Sequence, residues 1–294
     1  MTTQTDPLSE LAGIEVFKGH GTGNDFVVVP DPHGAHLLSP AHVRALCDRH
    51  TGIGADGVLR VVPTTDSPEV IDQAERARWF MDYRNGDGSV AEMCGNGARV
   101  FARYLLDAGL ERARSFAIAT RGGVREVRIE DDGEITVDMG IATAPELRVV
   151  PVVELAHRSW NGCGVLVPNP HCVVFLEEGE ELRDLDLTLA PKVEPKAMYP
   201  TGVNVEFVVR VGATAERHVR MRVHERGAGE TLSCGTGACA VMVATAERDE
   251  APLEVSYLVY VPGGAVRVTR RSDEHLELRG PAVIVGRIVL GGLR

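Results

Sequence analysis

The chain has 294 residues, 44% of them hydrophobic, which suits two cores of ordinary size. A net charge of −11 with no clustered Lys/Arg argues against nucleic acid and anionic membranes, and no apolar stretch nears the roughly 20 residues of a bilayer span. Residues 1–13 are polar and acidic with no apolar core, unlike a signal peptide, and six cysteines form no Cys-x-x-Cys pair; together these predict a cytoplasmic chain with free thiols and no metal site.

Residues 1–13 read as an N-terminal extension. Strands are predicted over 14–17 and 26–29, parted by a glycine-rich turn over 19–24. Ser39-Pro40 opens a helix, Ser as N-cap and Pro at the first position, and that helix runs to about Arg49. Strands follow near 57–62 and 78–83, the second leading to the turn Asn85-Gly86-Asp87-Gly88. Then comes Cys94-Gly95-Asn96-Gly97-Ala98, with Val100, Phe101, Tyr104 and Leu105 at helical spacing until Gly109. Further strands are predicted over 116–120, 124–129 and 135–139. The later part repeats the rhythm, with strands near 172–176, 204–211, 218–224, 254–261, 265–271, 275–279 and 283–290.

Cys234-Gly235-Thr236-Gly237-Ala238 repeats the Cys94 device 140 residues on and opens a second helix, apolar nearly all round. Such a helix must be buried on most sides. Upstream, the Asn85 turn answers Glu225-Arg226-Gly227, each nine residues before its cysteine; Thr51-Gly52-Ile53-Gly54 answers Thr201-Gly202-Val203-Asn204; Gly23-Asn24-Asp25-Phe26 answers Pro168-Asn169-Pro170-His171. Four elements in one order, twice, indicate an internal duplication. The reading is α+β: two pseudo-symmetric halves, each a mostly antiparallel β-barrel-like roll around a central helix. The halves are placed at 1–140, with Cys94, and 141–280, with Cys234; the final strand, within 281–294, is expected to return to the first half.

A first helical turn has N–H groups without intrahelical partners and the positive end of the macrodipole, so it suits an anion and favours thiolate. One Cys-Gly-x-Gly is a weak signal, because free cysteines are commonly inert core residues. Two matched copies point to two-base chemistry, one thiol taking a proton from a carbon and the other returning one to the opposite face. Cys47, Cys163, Cys172 and Cys239 read as packing. Neither a dinucleotide-binding GxGxxG nor a P-loop is present.

Met93-Cys94-Gly95-Asn96-Gly97, Gly23-Asn24-Asp25-Phe26, Asn169-Pro170-His171 and Glu225-Arg226-Gly227 with Ser233-Cys234-Gly235-Thr236-Gly237 resemble diaminopimelate epimerase, from about Ile14 onward. The resemblance implies a cofactor-independent isomerase that interconverts LL- and meso-2,6-diaminopimelate in lysine and peptidoglycan synthesis, with its site in the cleft between the halves. It implies that Cys94 and Cys234 are acid and base, with His171 and Glu225 helping to ionise them. Backbone amides of Gly95, Asn96, Gly235 and Thr236 would hold the carboxylate at the reacting carbon. Glu225 and the Arg226 backbone would hold the α-amine; Asn85, Asn169, Asn204 and the Arg226 side chain, the distal end; Asn24 would line the site. A homodimer is the family-based expectation, with no cofactor, metal, nucleic acid or membrane partner. Gly57 departs from the pattern, since some members carry Gln there. A proline racemase-type enzyme, which would carry His at Asn96, and a non-catalytic binding protein are the alternatives.

Overall fold

The computed structural model describes residues 7–213 and 217–291. Residues 1–6 of the extension and 292–294 of the returning segment lie outside the described residues. The chain divides into two compact units, one running as far as Val137 and resuming at Pro281, the other from Asp138 to Gly280.

In the first unit, β1 (Glu15–Gly21) pairs antiparallel with β2 (Asn24–Pro30). β2 pairs parallel with β3 (Gly57–Pro63), and β3 antiparallel with β4 (Trp79–Asn85). β4 pairs parallel with β5 (Ser115–Ala119), followed antiparallel by β6 (Arg125–Ile129) and β7 (Ile135–Ile141), whose residues from Asp138 on belong to the second unit. The short helix α1 (Pro40–Cys47) begins as its sequence predicts: Ser39 Oγ accepts from the His42 N–H at 3.2 Å, and the His42 ring accepts from the Ser39 N–H. α2 (Gly95–Asp107) is buried through its first eight residues, packs on β1 to β4, and is followed by Gly109 at φ +68, where a residue with a side chain would be strained.

The second unit opens with β8 (Val152–Leu155), β9 (Arg158–Val167) and β10 (Asn169–Phe175). β11 (Lys192–Glu194) pairs with β8, and β12 (Asn204–Val211) pairs parallel with β10 and antiparallel with β13 (His218–Glu225). β14 (Gly229–Thr231) folds back on β13, which also pairs parallel with β15 (Val255–Val261). β16 (Gly264–Arg270) and β17 (His275–Gly280) complete an antiparallel run. α3 (Gly235–Arg248) is buried from Gly235 through Ala246, as its all-round apolar sequence requires, and packs on β9, β10, β12, β13 and β15 to β17. The last strand, β18 (Val283–Val289), lies antiparallel to β1 in the first unit.

The duplication is visible in the pairing. β1-β2-β3-β4-α2-β5-β6-β7 and β9-β10-β12-β13-α3-β15-β16-β17 run through the same succession of antiparallel and parallel neighbours. Register makes the equivalence exact to the residue: Phe26 lies opposite Gly57 where His171 lies opposite Asn204. Gly57, three residues beyond Gly54, is therefore the counterpart of Asn204, because the turn before β3 is longer than the match of short motifs suggested. The sequence reading also lacked β8, β9, β11 and β14. In β9, glycines at 162 and 164 interrupt the strand signal: a Cβ on Gly162 would lie 2.4 Å from Cys172 Sγ, and one on Gly164 2.7 Å from the Tyr199 hydroxyl.

Candidate active site

Each cysteine of the repeat is the N-cap of its unit's long helix. Cys94 (φ −141, ψ 119) and Cys234 (φ −122, ψ 115) are extended, and each Sγ accepts from the N–H of the second glycine, Gly97 or Gly237, at 3.4 Å. A side chain commonly filled by Ser, Thr, Asp or Asn is here a thiol, so the sulfur sits where the helix dipole stabilises negative charge.

In the first unit, Asn24 Oδ1 lies 3.7 Å from Cys94 Sγ and accepts from Asn96 Nδ2 at 3.2 Å. Asn24 Nδ2 in turn donates to Asp56 at 2.7 Å. Fully buried Arg99 donates to Asn96 Oδ1 at 2.8 Å, fixing that amide from behind. Below them Asp25 takes Lys18 at 2.6 Å and both guanidinium nitrogens of Arg49. Burial alone would raise the Asp25 carboxyl, but hydrogen bonds and charge from Arg49 and Lys18 bring it down to about 2. Burial raises neighbouring Asp56, and the Asp25 charge adds to that rise. Asn85, at the end of β4, is held separately: the Tyr83 hydroxyl donates to its Oδ1 and its Nδ2 donates to Ser89 Oγ, both at 2.9 Å. Gly57 cannot take a side chain on this backbone, since a Cβ would stand 2.6 Å from the Arg84 carbonyl oxygen. Among the residues assigned to this half, Cys94, Asn24 and Asn96 thus form one bonded group and Asn85 another.

The second unit holds a denser, more charged group. Its Cys234 is buried, whereas Cys94 is half-buried. Cys234 Sγ lies 3.4 Å from Thr236 Oγ1, and Glu225 Oε1 accepts from Thr231 Oγ1 at 2.5 Å. Burial, then the Glu225 and Glu206 carboxylates, push the Cys234 thiol well up; burial raises Glu225 as well. His171 Nδ1 meets Glu206 Oε1 at 2.7 Å, both side chains wholly buried, and Nε2 meets Asn169 Oδ1 at 3.1 Å. Asn204 Oδ1 accepts from the Arg226 N–H at 3.0 Å, and Arg226 Nη1 donates to Thr201 Oγ1 at 3.1 Å. Glu206 and Asp56 escaped the sequence reading. The available signal for Glu206 was a lone carboxylate inside the apolar strand Val205-Glu206-Phe207-Val208, a placement that is costly without a partner.

The remaining cysteines are packed thiols. Burial pushes Cys47 up to about 12 and also raises Cys163 and Cys172; Cys239 lies inside α3 with no exposure. Among the described residues no group of three or more His, Cys, Asp or Glu side chains is arranged to hold a metal ion. No helix among them is long and apolar enough to cross a membrane.

A doubled sheet-and-helix unit with a cysteine capping each central helix defines a class, and solved structures share that fold. A hydroxyproline epimerase from Agrobacterium vitis, with bound trans-4-hydroxy-L-proline, superposes with a TM-score of 0.65 at 14% identity, covering 94% of this chain and 91% of that one. A phenazine biosynthesis protein of the PhzF family from Bacillus anthracis gives 0.63 at 17% identity, covering 94% and 98%. Sequence narrows the class further. The diaminopimelate epimerase family profile matches residues 16–145 and 163–285. A diaminopimelate epimerase of Streptomyces coelicolor is 53% identical over 92% of this chain and 93% of its own length, and one of Thermobifida fusca 46% over 94% and 98%. The chain belongs to the diaminopimelate epimerase family.

Proposed function

We propose that this chain interconverts LL- and meso-2,6-diaminopimelate by a two-base mechanism in which Cys94 and Cys234 act on opposite faces of the α-carbon. The observation that carries the reading is the pair of helix-capping thiols at equivalent positions of two duplicated units, in a member of this family. Removing an α-proton needs a base on one face and stabilisation of the negative charge that develops on the carboxylate side. Gly95, Asn96, Gly235 and Thr236, in the first turns of α2 and α3, supply amides and dipoles suited to that carboxylate. Glu225 is the partner of the Cys234 proton and a ligand for the α-amine. Asn85, Asn169, Asn204 and Arg226 suit the distal amino-acid end, where a guanidinium fork matches a carboxylate, and Asn24 and His171 complete the site. The reaction needs no pyridoxal phosphate or metal, and the enzyme works as a cytoplasmic homodimer.

The test is epimerisation of LL-diaminopimelate in D₂O. Deuterium should enter the α-position of the product and persist under EDTA. Cys94→Ser and Cys234→Ser should each lose epimerisation by orders of magnitude, because a hydroxyl is a far weaker base than a thiolate, with substrate binding retained. A variant of either cysteine with near-wild-type turnover, or exchange into proline in place of diaminopimelate, would refute the reading.

A further inference from the structure

The two units place different residues at one equivalent position. Gly97 and Gly237 are the second glycines of the matched motifs, and each leaves room for a side chain from the strand below. A Cβ on Gly97 would meet Leu59 Cδ2 at 3.2 Å; a Cβ on Gly237 would meet Glu206 Oε1 at 2.7 Å. Leu59 in β3 and Glu206 in β12 are thus counterparts, each two residues beyond the matched pair Gly57 and Asn204. Their neighbours in β2 and β10 are also counterparts, Phe26 and His171. Where the first unit fills this place with Phe26 and Leu59, both wholly buried, the second fills it with a wholly buried His171–Glu206 pair.

The same fold therefore closes over an apolar pair without difficulty, and nothing in its architecture asks for buried ionisable groups. Burying them is costly, and an apolar pair of similar volume is commonly as stable or more so. Glu206 even leaves Oε2 without a hydrogen-bond partner, an additional cost. Its other oxygen is fully committed to the imidazole. Resting on the proposed epimerase reading, we propose that Glu206 is a positioning residue, which grips His171 by Nδ1, keeps a proton on that nitrogen and turns Nε2 to donate to Asn169 Oδ1. It lies behind Gly237, the residue whose N–H holds the Cys234 sulfur, so the grip also fixes His171 relative to the helix start that carries Cys234. At metal-bound histidines, ring partners of this kind set tautomer and orientation, and their loss costs about 10–100-fold.

The titratable groups around this position are His171 and Cys172 on β10, Glu206 on β12, Glu225 on β13, Cys234 at the start of α3, and Tyr199. The test compares Glu206→Leu, which copies the first unit's Leu59, in two backgrounds. With His171 present, kcat for LL-diaminopimelate should fall about 10–100-fold with KM within about threefold of wild type. In His171→Phe, which copies Phe26, the same change should cost less than about twofold, because Glu206 acts through the ring. Ring ¹⁵N signals of His171, assigned by their absence in His171→Phe, should show Nδ1 protonated in the wild type and without its proton in Glu206→Leu, Nε2 keeping the one it donates to Asn169. Full kcat in Glu206→Leu, an undiminished cost in the His171→Phe background, or unchanged ring signals each overturn the proposal. Should Glu206→Leu fail to fold, Glu206→Met, of similar volume and with no strong acceptor, is read by the same criteria. A wild-type chain that leaves LL-diaminopimelate unchanged overturns the proposed function alone, since the ring signals decide the Glu206–His171 grip independently.

Discussion

Asp25 is the residue whose charge state the surrounding chain controls most plainly. Lys18 and Arg49 hold it ionised, with its carboxyl brought down to about 2 from an ordinary 3.8. A folded-state value below the unfolded one contributes stability above about pH 4 and loses it as pH falls toward 2. At about 1.4 kcal/mol per pH unit, the contribution near neutrality is at most about 2.5 kcal/mol. Asp25→Asn should therefore lower stability toward urea at pH 7, and the gap from wild type should close between pH 4 and 2. A gap that is constant over that range would show that the loss is one of packing and not of charge. Neither this network nor Glu206 was legible in the sequence. Carboxylates look alike in a string of letters, and which one meets a guanidinium or an imidazole depends on how the chain folds back across 24 to 35 residues.

At the scale of elements, much more was legible. The two helix starts, the glycine stop after α2 and the Ser39-Pro40 cap follow from local chemistry, and the structure has each in place. So do the strands bounded by clear turns. What failed was local signal weakened by glycine, as in β9, and motif matching across a turn whose length differs between copies, as with Gly54 and Gly57. Parallel pairings such as β2 with β3 were also unreadable, because a run of apolar letters does not state its neighbour's direction. The twin helix starts permit a controlled comparison. Alanine is the better helix former by about 0.8–1 kcal/mol, which favours replacing either glycine. At Gly97 the contacts are the end of a leucine side chain at 3.2 Å, which can turn aside, and the capping cysteine's Cβ at 3.3 Å, matched by Cys234 Cβ at 3.2 Å in the other copy, so Gly97→Ala should be the less costly of the two. At Gly237 the opposing atom is an oxygen held at 2.7 Å by His171, so Gly237→Ala should cost roughly 1–3 kcal/mol through overpacking. Chemical denaturation of both variants checks the order; equal costs would mean the two helix starts are not packed differently.

For the whole molecule, the unit of stability is set by where the chain ends up. The first unit takes its last strand, β18, from beyond the second unit, and Gly13 N–H also bonds the Leu290 carbonyl there. Trp79 lies in the first unit and Trp160 in the second, and the chain has two tryptophans in all. With Trp160→Phe the remaining fluorescence reports the first unit, and with Trp79→Phe the second. Removing residues 281–294 should lower the transition reported by Trp79 by more than that reported by Trp160, because β1 loses a partner along its length. Equal shifts would mean that the two units melt as one.

That returning strand has a consequence for synthesis. A ribosome delivers the chain from its first residue, and segments generally fold as soon as their contacts exist. The unit that emerges first contains a sheet position whose occupant is encoded only after the strands of the second unit. The half begun first is thus completed only after the other has been made, and β1 stays open to wrong partners until then.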